Sequence, residues 1–144
     1  MSMKQISVFL ENKPGTLKEM TKVLANAGVD MNALSLAETK DFGIVRIIVD
    51  DVYETANVLR ESGFVCSMTP VVGVMIPDVV GGLDRVLEIL SAAEINLEYM
   101  YASLGGKKQN DAYMILRVEN CEKAESALRA GGIYVLSQEN ASDM

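Results

Sequence analysis

One phrase of seven residues occurs twice in this chain. Glu11, Asn12, Lys13, Pro14, Gly15, Thr16 and Leu17 stand between an alternating apolar run and a run with helical spacing. Sixty-six positions on, Pro77, Asp78, Val79, Val80, Gly81, Gly82 and Leu83 stand in the same surroundings. A repeated strand, glycine turn and helix start means two copies of one small module rather than one larger domain.

The copies can be followed end to end. Ile6, Val8 and Leu10 alternate with Ser7 and Phe9, as in a strand with apolar groups on both faces. Pro14 and Gly15 break it. Leu17, Met20, Leu24 and Ala27 then recur at three- and four-residue steps, one face of an amphipathic helix that Gly28 ends. Residues 31–38 and 44–49 read as strands around a turn at Lys40, Asp41, Phe42 and Gly43. Asp50 or Asp51 caps the next helix, whose inner face uses Val52, Thr55 and Leu59. Gly63 ends it, and residues 64–68 read as the fourth strand.

The second half repeats this order. Strands are predicted at 72–76, 96–104, 112–118 and 133–136. A helix over 82–93 faces inward with Leu83, Val86, Leu87 and Leu90, and a later one with Cys121, Ala124 and Leu128. Val8 matches Val74, Gly15 matches Gly81 and Leu24 matches Leu90, all 66 apart. Val49 then matches Val118, and Gly63 matches Gly132, both 69 apart. The slip is a three-residue insertion around residues 107–110, in a loop that opens with Gly105 and Gly106. Each half is β-α-β-β-α-β, so the fold class is α+β. The chain reads as tandem ferredoxin-like sandwiches, antiparallel sheets with helices on one face. The modules are expected over residues 1–69 and 70–138, meeting at Thr69 and Pro70, with 139–144 a polar, frayed tail. With almost no linker, they are expected to lie against each other.

Composition removes several classes of function. The formal net charge is −7, and Lys107–Lys108 is the only basic pair, so nucleic acid is not the expected partner. No apolar run approaches the length that spans a membrane, and the first residues lead into a strand pattern rather than a leader. Cys66 and Cys121 lack metal-ligand spacing and read as reduced thiols in a cytoplasmic protein. Histidine is absent, which removes the commonest general base and metal ligand. No nucleophile–base pair is visible, and no metal or cofactor is implied. A glycine at a helix start offers something else: outward-facing backbone N–H groups and a partial positive charge, suited to a carboxylate.

The residues Asn12, Lys13, Pro14, Gly15, Thr16 and Leu17 before a helix, then Gly28, Val29, Asp30, Met31 and Asn32 entering the second strand, resemble the ACT domain family. Its members bind amino acids and regulate amino-acid metabolism. The resemblance covers the whole chain as two consecutive modules. The second copy departs from the pattern: Val80 stands where Pro14 stood, and Glu94 replaces Gly28. The family implies a non-catalytic sensor whose ligand lies between one module's first glycine turn and the other's entry to its second strand. That would set Asn12, Lys13, Pro14, Gly15, Thr16 and Leu17 against Asn96, Leu97, Glu98 and Tyr99. It would likewise set Asp78, Val80, Gly81, Gly82 and Leu83 against Asp30, Met31 and Asn32. The implied partners are a free amino acid, an amino-acid-metabolism enzyme, and a second copy of the chain. The acidic and amide groups Asp30, Asn32, Asp78, Asn96 and Glu98 favour a polar or basic side chain, histidine among them. Two other readings compete: a subunit acting by contact with a biosynthetic enzyme, and a small enzyme of ferredoxin-like fold. The bland reading makes Pro14–Gly15 a plain turn, and Tyr99 and Tyr101 packing on one strand face.

Overall fold

The computed structural model describes residues 2–38, 41–104 and 111–144. The loop expected at Gly105 and Gly106 with its insertion at residues 107–110, and Lys40 of the expected turn, lie outside them; Phe42 and Gly43 of that turn belong instead to a strand. The first half runs β1 (Met3–Glu11), α1 (Thr16–Asn26), β2 (Ala33–Glu38), β3 (Phe42–Ile48) and α2 (Val52–Glu61). A long strand, β4 (Val65–Pro77), leads into α3 (Gly82–Ala92), β5 (Leu97–Ala102), β6 (Asp111–Val118), α4 (Cys121–Ala130) and β7 (Tyr134–Leu136). All pairings are antiparallel.

Alternation decides which face each strand residue takes. Ile6, Val8 and Leu10 of β1, with Val45 and Ile47 of β3, meet Met20 and Leu24 of α1 and Val52, Ala56 and Leu59 of α2. The equivalent set in the second half joins Val72, Val74 and Ile76 to Val86 and Leu90 of α3 and Ala124 and Leu128 of α4. The opposite, helix-free faces also pack. Met3, Ala33, Ile48 and Val71 close on Tyr101, Tyr113, Ile115 and Leu136 as a third core. The sheets are therefore stacked with helices outside.

The two sheets share β4. Its first part pairs with β1, Phe9 opposite Val65 through Met3 opposite Val71. Its second part pairs with β6, starting at Val72 opposite Leu116, and with β7. The strands expected at 64–68 and 72–76 are thus one strand, running through the expected boundary at Pro70. A proline fits there because it sits opposite Lys4 on the β1 side and its carbonyl accepts a hydrogen bond from Arg117 Nη1 at 2.8 Å.

Three further expectations are corrected. Residues 139–144 are not a frayed tail: Gln138–Asp143 is a 3₁₀ turn, with Ala141 and Met144 buried in the third core. The Ser137–Asn140 capping box holds the turn in place, so the polar residues face out while these two face in. Leu83 does not face inward; it lies in the exposed first turn of α3, and Val86 and Leu90 carry that face. Ala27 is exposed: α1 ends at Asn26, and Ala27 is its C-cap rather than part of its inner face.

Candidate ligand-binding site

The two glycine turns do what the sequence asks of them. Gly15 (φ 90°) and Gly81 (φ 87°) take the left-handed conformation and stand at the N-cap positions of α1 and α3. Neither helix has a side-chain cap. Gly82 N–H donates to Val79 O at 3.1 Å, and no side chain takes the other first-turn N–H groups of either helix. The turns close differently. In the first, Thr16 Oγ1 donates to the carbonyls of Glu11 (2.9 Å) and Lys13 (3.1 Å). In the second, Gly82 replaces Thr16 and lies so close to Pro77 that a Cβ would stand 2.6 Å from its carbonyl oxygen.

Acids surround the first turn. Lys13 pairs with Glu11 at 3.0 Å, and Asn12 Nδ2 donates to Glu38 Oε1 at 2.7 Å. Hydrogen bonding to Glu11 raises the Lys13 pKa above its usual value. Pro14 and Leu17 complete the turn, Leu17 half-buried against the first core. In the second turn Asp78, Val80 and Leu83 are exposed.

Within one chain the first turn and Asn96, Leu97, Glu98 and Tyr99 are not brought together. Tyr99 reaches the middle of β1, where its hydroxyl accepts from Gln5 Nε2 at 2.9 Å. Asn96 and Glu98 line a cavity of about 770 Å³ with Ser2 and Pro70, by the start of β1. The Asn12–Leu17 turn follows the other end of that nine-residue strand, roughly 26 Å along it at about 3.3 Å per residue. Leu97 packs against the second core.

Asp30, Met31 and Asn32 meet the second module through a different segment. Leu104 N–H donates to Asn32 O at 3.0 Å, and Ser103 bridges Ala33. Asn32 is buried, and its amide donates to Asp50 Oδ1 at 2.7 Å. Asp30 and Met31 line a groove of about 510 Å³ whose walls include Lys18, Lys22 and Leu104; Asp78, Val80, Gly81, Gly82 and Leu83 are not among its lining residues. A smaller cavity of about 170 Å³ joins Gly28, Val29 and Asp30 to Asp50, Asp51 and Glu54. It is the first-module counterpart of the Glu94–Asn96 and Glu119–Lys123 cavity, shifted by the 66 and 69 offsets of the repeat.

Sequence reasoning missed the polar seam between the modules. Gln5 is wholly buried, accepts from Tyr101 Oη at 2.7 Å, and donates to Ser7 Oγ at 3.0 Å as well as to Tyr99. Arg46 lies over the Tyr99 ring at 3.8 Å from its centroid. Burial, then the neighbouring Tyr99, holds the Tyr101 phenol well above its usual pKa, against the pull of Arg46. The signal was the pair Gln5 and Ser7 on the face opposite Ile6 and Val8, which reads as solvated when no second sheet is in view. The Cys121 thiol is pushed up by burial despite Arg117, so it is not held as a thiolate. Among the described residues no group of acids, cysteines and histidines could hold a metal ion, and no helix is long and apolar enough to cross a membrane.

This architecture, two ferredoxin-like modules with glycine turns at their first helices, defines a class of tandem ferredoxin-like modules. A family model described as an ACT domain pair matches residues 1–144, and the chain belongs to that family, a regulatory and amino-acid-binding one. The structure is similar to that of protein BT0572 from Bacteroides thetaiotaomicron, with 38% identity, a TM-score of 0.92, and coverage of 100% of this chain and 98% of that one. It also shares its fold with the regulatory subunit of aspartate kinase from Thermus thermophilus (16% identity, TM-score 0.67, 91% and 93% covered). The corresponding subunit from Thermus flavus is similar at 14% identity and a TM-score of 0.63, with 92% and 94% covered. No curated protein sequence matches the chain.

Proposed function

We propose that this protein is a non-catalytic, amino-acid-binding regulator. The observation that carries the reading is the repeated turn: two glycines at φ near 90° open two helix N-termini that no side chain caps. Each can hold an α-carboxylate on backbone N–H groups. The ligand residues of this reading are those of the two turns, with Asp30 and Met31 at the seam. The argument for a polar or basic side chain, such as that of histidine, narrows to fewer groups. Asn32 is engaged by Asp50, and Glu98 pairs with Arg117 at 3.1 Å, which leaves Asp30, Asp78 and Asn96. Regulation follows if the ligand prefers one arrangement of the modules, or of chains, over another.

The test is a ligand titration of the wild type beside Gly15→Val and Gly81→Val. Binding that is lost in either variant, while melting shows it folded, supports the turns as ligand-holding. Binding untouched by both would sink that placement. If Asp30→Asn and Asp78→Asn leave ligand preference unchanged, the preference for a polar or basic side chain is wrong.

One observation favours a second reading, a subunit that acts by contact with an amino-acid biosynthetic enzyme. Phe9, Phe42 and Val65 are 43%, 56% and 67% exposed. Phe9 lies opposite Val65 on one side and Ile44 on the other, so these residues share the helix-free face beyond the part the second module covers. Co-purification that is lost in Phe42→Glu would favour this reading.

A further inference from the structure

We infer that residues 137–144 form a releasable latch across the two modules, a strap whose opening loosens their seam. The strap leaves β7 at Leu136, turns through Gln138–Asp143 and reaches back to the first module. Its polar grip there is one side-chain amide. The Lys4 N–H of β1 donates to Gln138 Oε1 at 3.0 Å. Gln138 Nε2 donates to the carbonyls of Val49 (3.3 Å) and Asp50 (3.4 Å), just past β3. The β1–β3 ladder stops at Ile6 opposite Ile47. Gln138 therefore stands where the ladder has run out, accepting from one side and donating to the other as a peptide group would. The repeat explains why the first module alone needs this. Lys4 corresponds to Pro70 at the offset of 66, and proline has no N–H to satisfy.

The rest of the grip is apolar. Ala141 and Met144 are buried in the third core with Met3, Ile48 and Leu136, a core that both modules build. No residue of the strap belongs to a strand. Its internal backbone bonds span three residues, Asn140 N–H to Ser137 O at 3.0 Å and Met144 N–H to Ala141 O at 3.2 Å, the poorer geometry of a 3₁₀ turn. Ser137, extended at φ −96° and ψ 172°, is the hinge. The strap can swing about it without breaking a β4–β7 pair, since those end at Leu136. An element held by one amide and two apolar side chains opens at a lower free energy than the sheets do.

Opening has a consequence for the seam. With the strap away, the third core loses Ala141 and Met144, and the Lys4 N–H loses its acceptor. Apolar surface of both modules then meets water where they join. A closed strap and docked modules therefore stabilise each other, and one two-state element biases the arrangement of both. The latch needs no ligand. It is the moving part for regulation through module arrangement, whatever the glycine turns hold.

Hydrogen exchange at single amides of the full chain, read by NMR, tests this. The Asn140 and Met144 N–H groups report the strap. The Leu104 N–H, bonded to Asn32 O at 3.0 Å, reports the seam, and the amides of β4 report the whole fold. In the wild type the strap amides are expected to exchange at least about tenfold slower than an open chain and at least about a hundredfold faster than β4. Gln138→Ala removes the amide clamp and should speed Met144 roughly tenfold, the worth of one or two hydrogen bonds. Ala141→Asp puts a charge into the third core and should hold the strap open. There the strap amides lose their protection, Leu104 speeds at least about tenfold relative to β4, and β4 stays protected. Strap amides unprotected in the wild type would mean a frayed segment with no closed state. Strap amides as slow as β4 would mean a segment that leaves only when the whole fold does. Either overturns the inference, as would a Met144 rate unmoved by Gln138→Ala. A Leu104 rate that keeps its ratio to β4 in Ala141→Asp, or loss of β4 protection in that variant, would overturn it too.

Discussion

At Gln5 one side-chain amide joins two strands, β1 and β5, of the two modules. It accepts from Tyr101 and donates to Tyr99 and Ser7, all within 3.0 Å. Buried amides are costly without partners and specific with them. Tyr101→Phe leaves the Gln5 carbonyl without this donor and should cost about 1–3 kcal/mol in denaturant unfolding. The same residue predicts a pH dependence. Its pKa is raised in the folded state, so its contribution is fully present below the ordinary tyrosine value and is lost as pH rises past it. Above about pH 10 the unfolded chain sheds this proton and the folded one retains it, so stability falls by up to about 1.4 kcal/mol per pH unit for this group. Melting curves between neutral and alkaline pH should show a shallower decline in Tyr101→Phe. Glu94 supplies a second prediction. It holds φ 56° where the first module has Gly28 at φ 72°. Left-handed backbone disfavours a side chain, so Glu94→Gly should stabilise the protein by about 1 kcal/mol. An unchanged or lower midpoint would show that Glu94 has compensating contacts.

At the scale of elements, most of the pattern could be read from residues. The four-residue spacing of Met20 and Leu24, and the left-handed Gly63 after α2, lie where the sequence places them. Asp51 caps α2 by accepting from Glu54 N–H at 3.0 Å, while Asp50 binds Asn32 instead. What could not be read is how elements join. Pro70 looks like a break, yet a proline with one paired edge stays inside β4. The terminal residues look solvated, yet Ala141 and Met144 fill the third core. Deleting residues 138–144 should therefore cost about 2–3 kcal/mol, the burial of one large side chain and its surroundings, seen as a lower chemical-denaturation midpoint. A midpoint equal to that of the full chain would show the tail to be dispensable.

The whole molecule is two repeated modules whose helix-free faces have become a shared interior. The repeat made the modules legible, because glycines and apolar spacing recur at fixed offsets. It did not make the seam or the ligand residues legible, since those depend on which surfaces meet: Asn32 and Glu98 look free in sequence but are engaged by Asp50 and Arg117. The account's central claim is that a free amino acid binds the folded chain. A thermal-shift screen against the twenty amino acids tests it most directly. Binding adds RT ln(1 + [L]/Kd), about 2.7 kcal/mol at a hundredfold excess over Kd. The account predicts a raised midpoint with one or a few amino acids and none with the rest. An unmoved midpoint with all twenty would contradict it and leave the exposed Phe9, Phe42 and Val65 face, and a protein partner, as the better explanation of this fold.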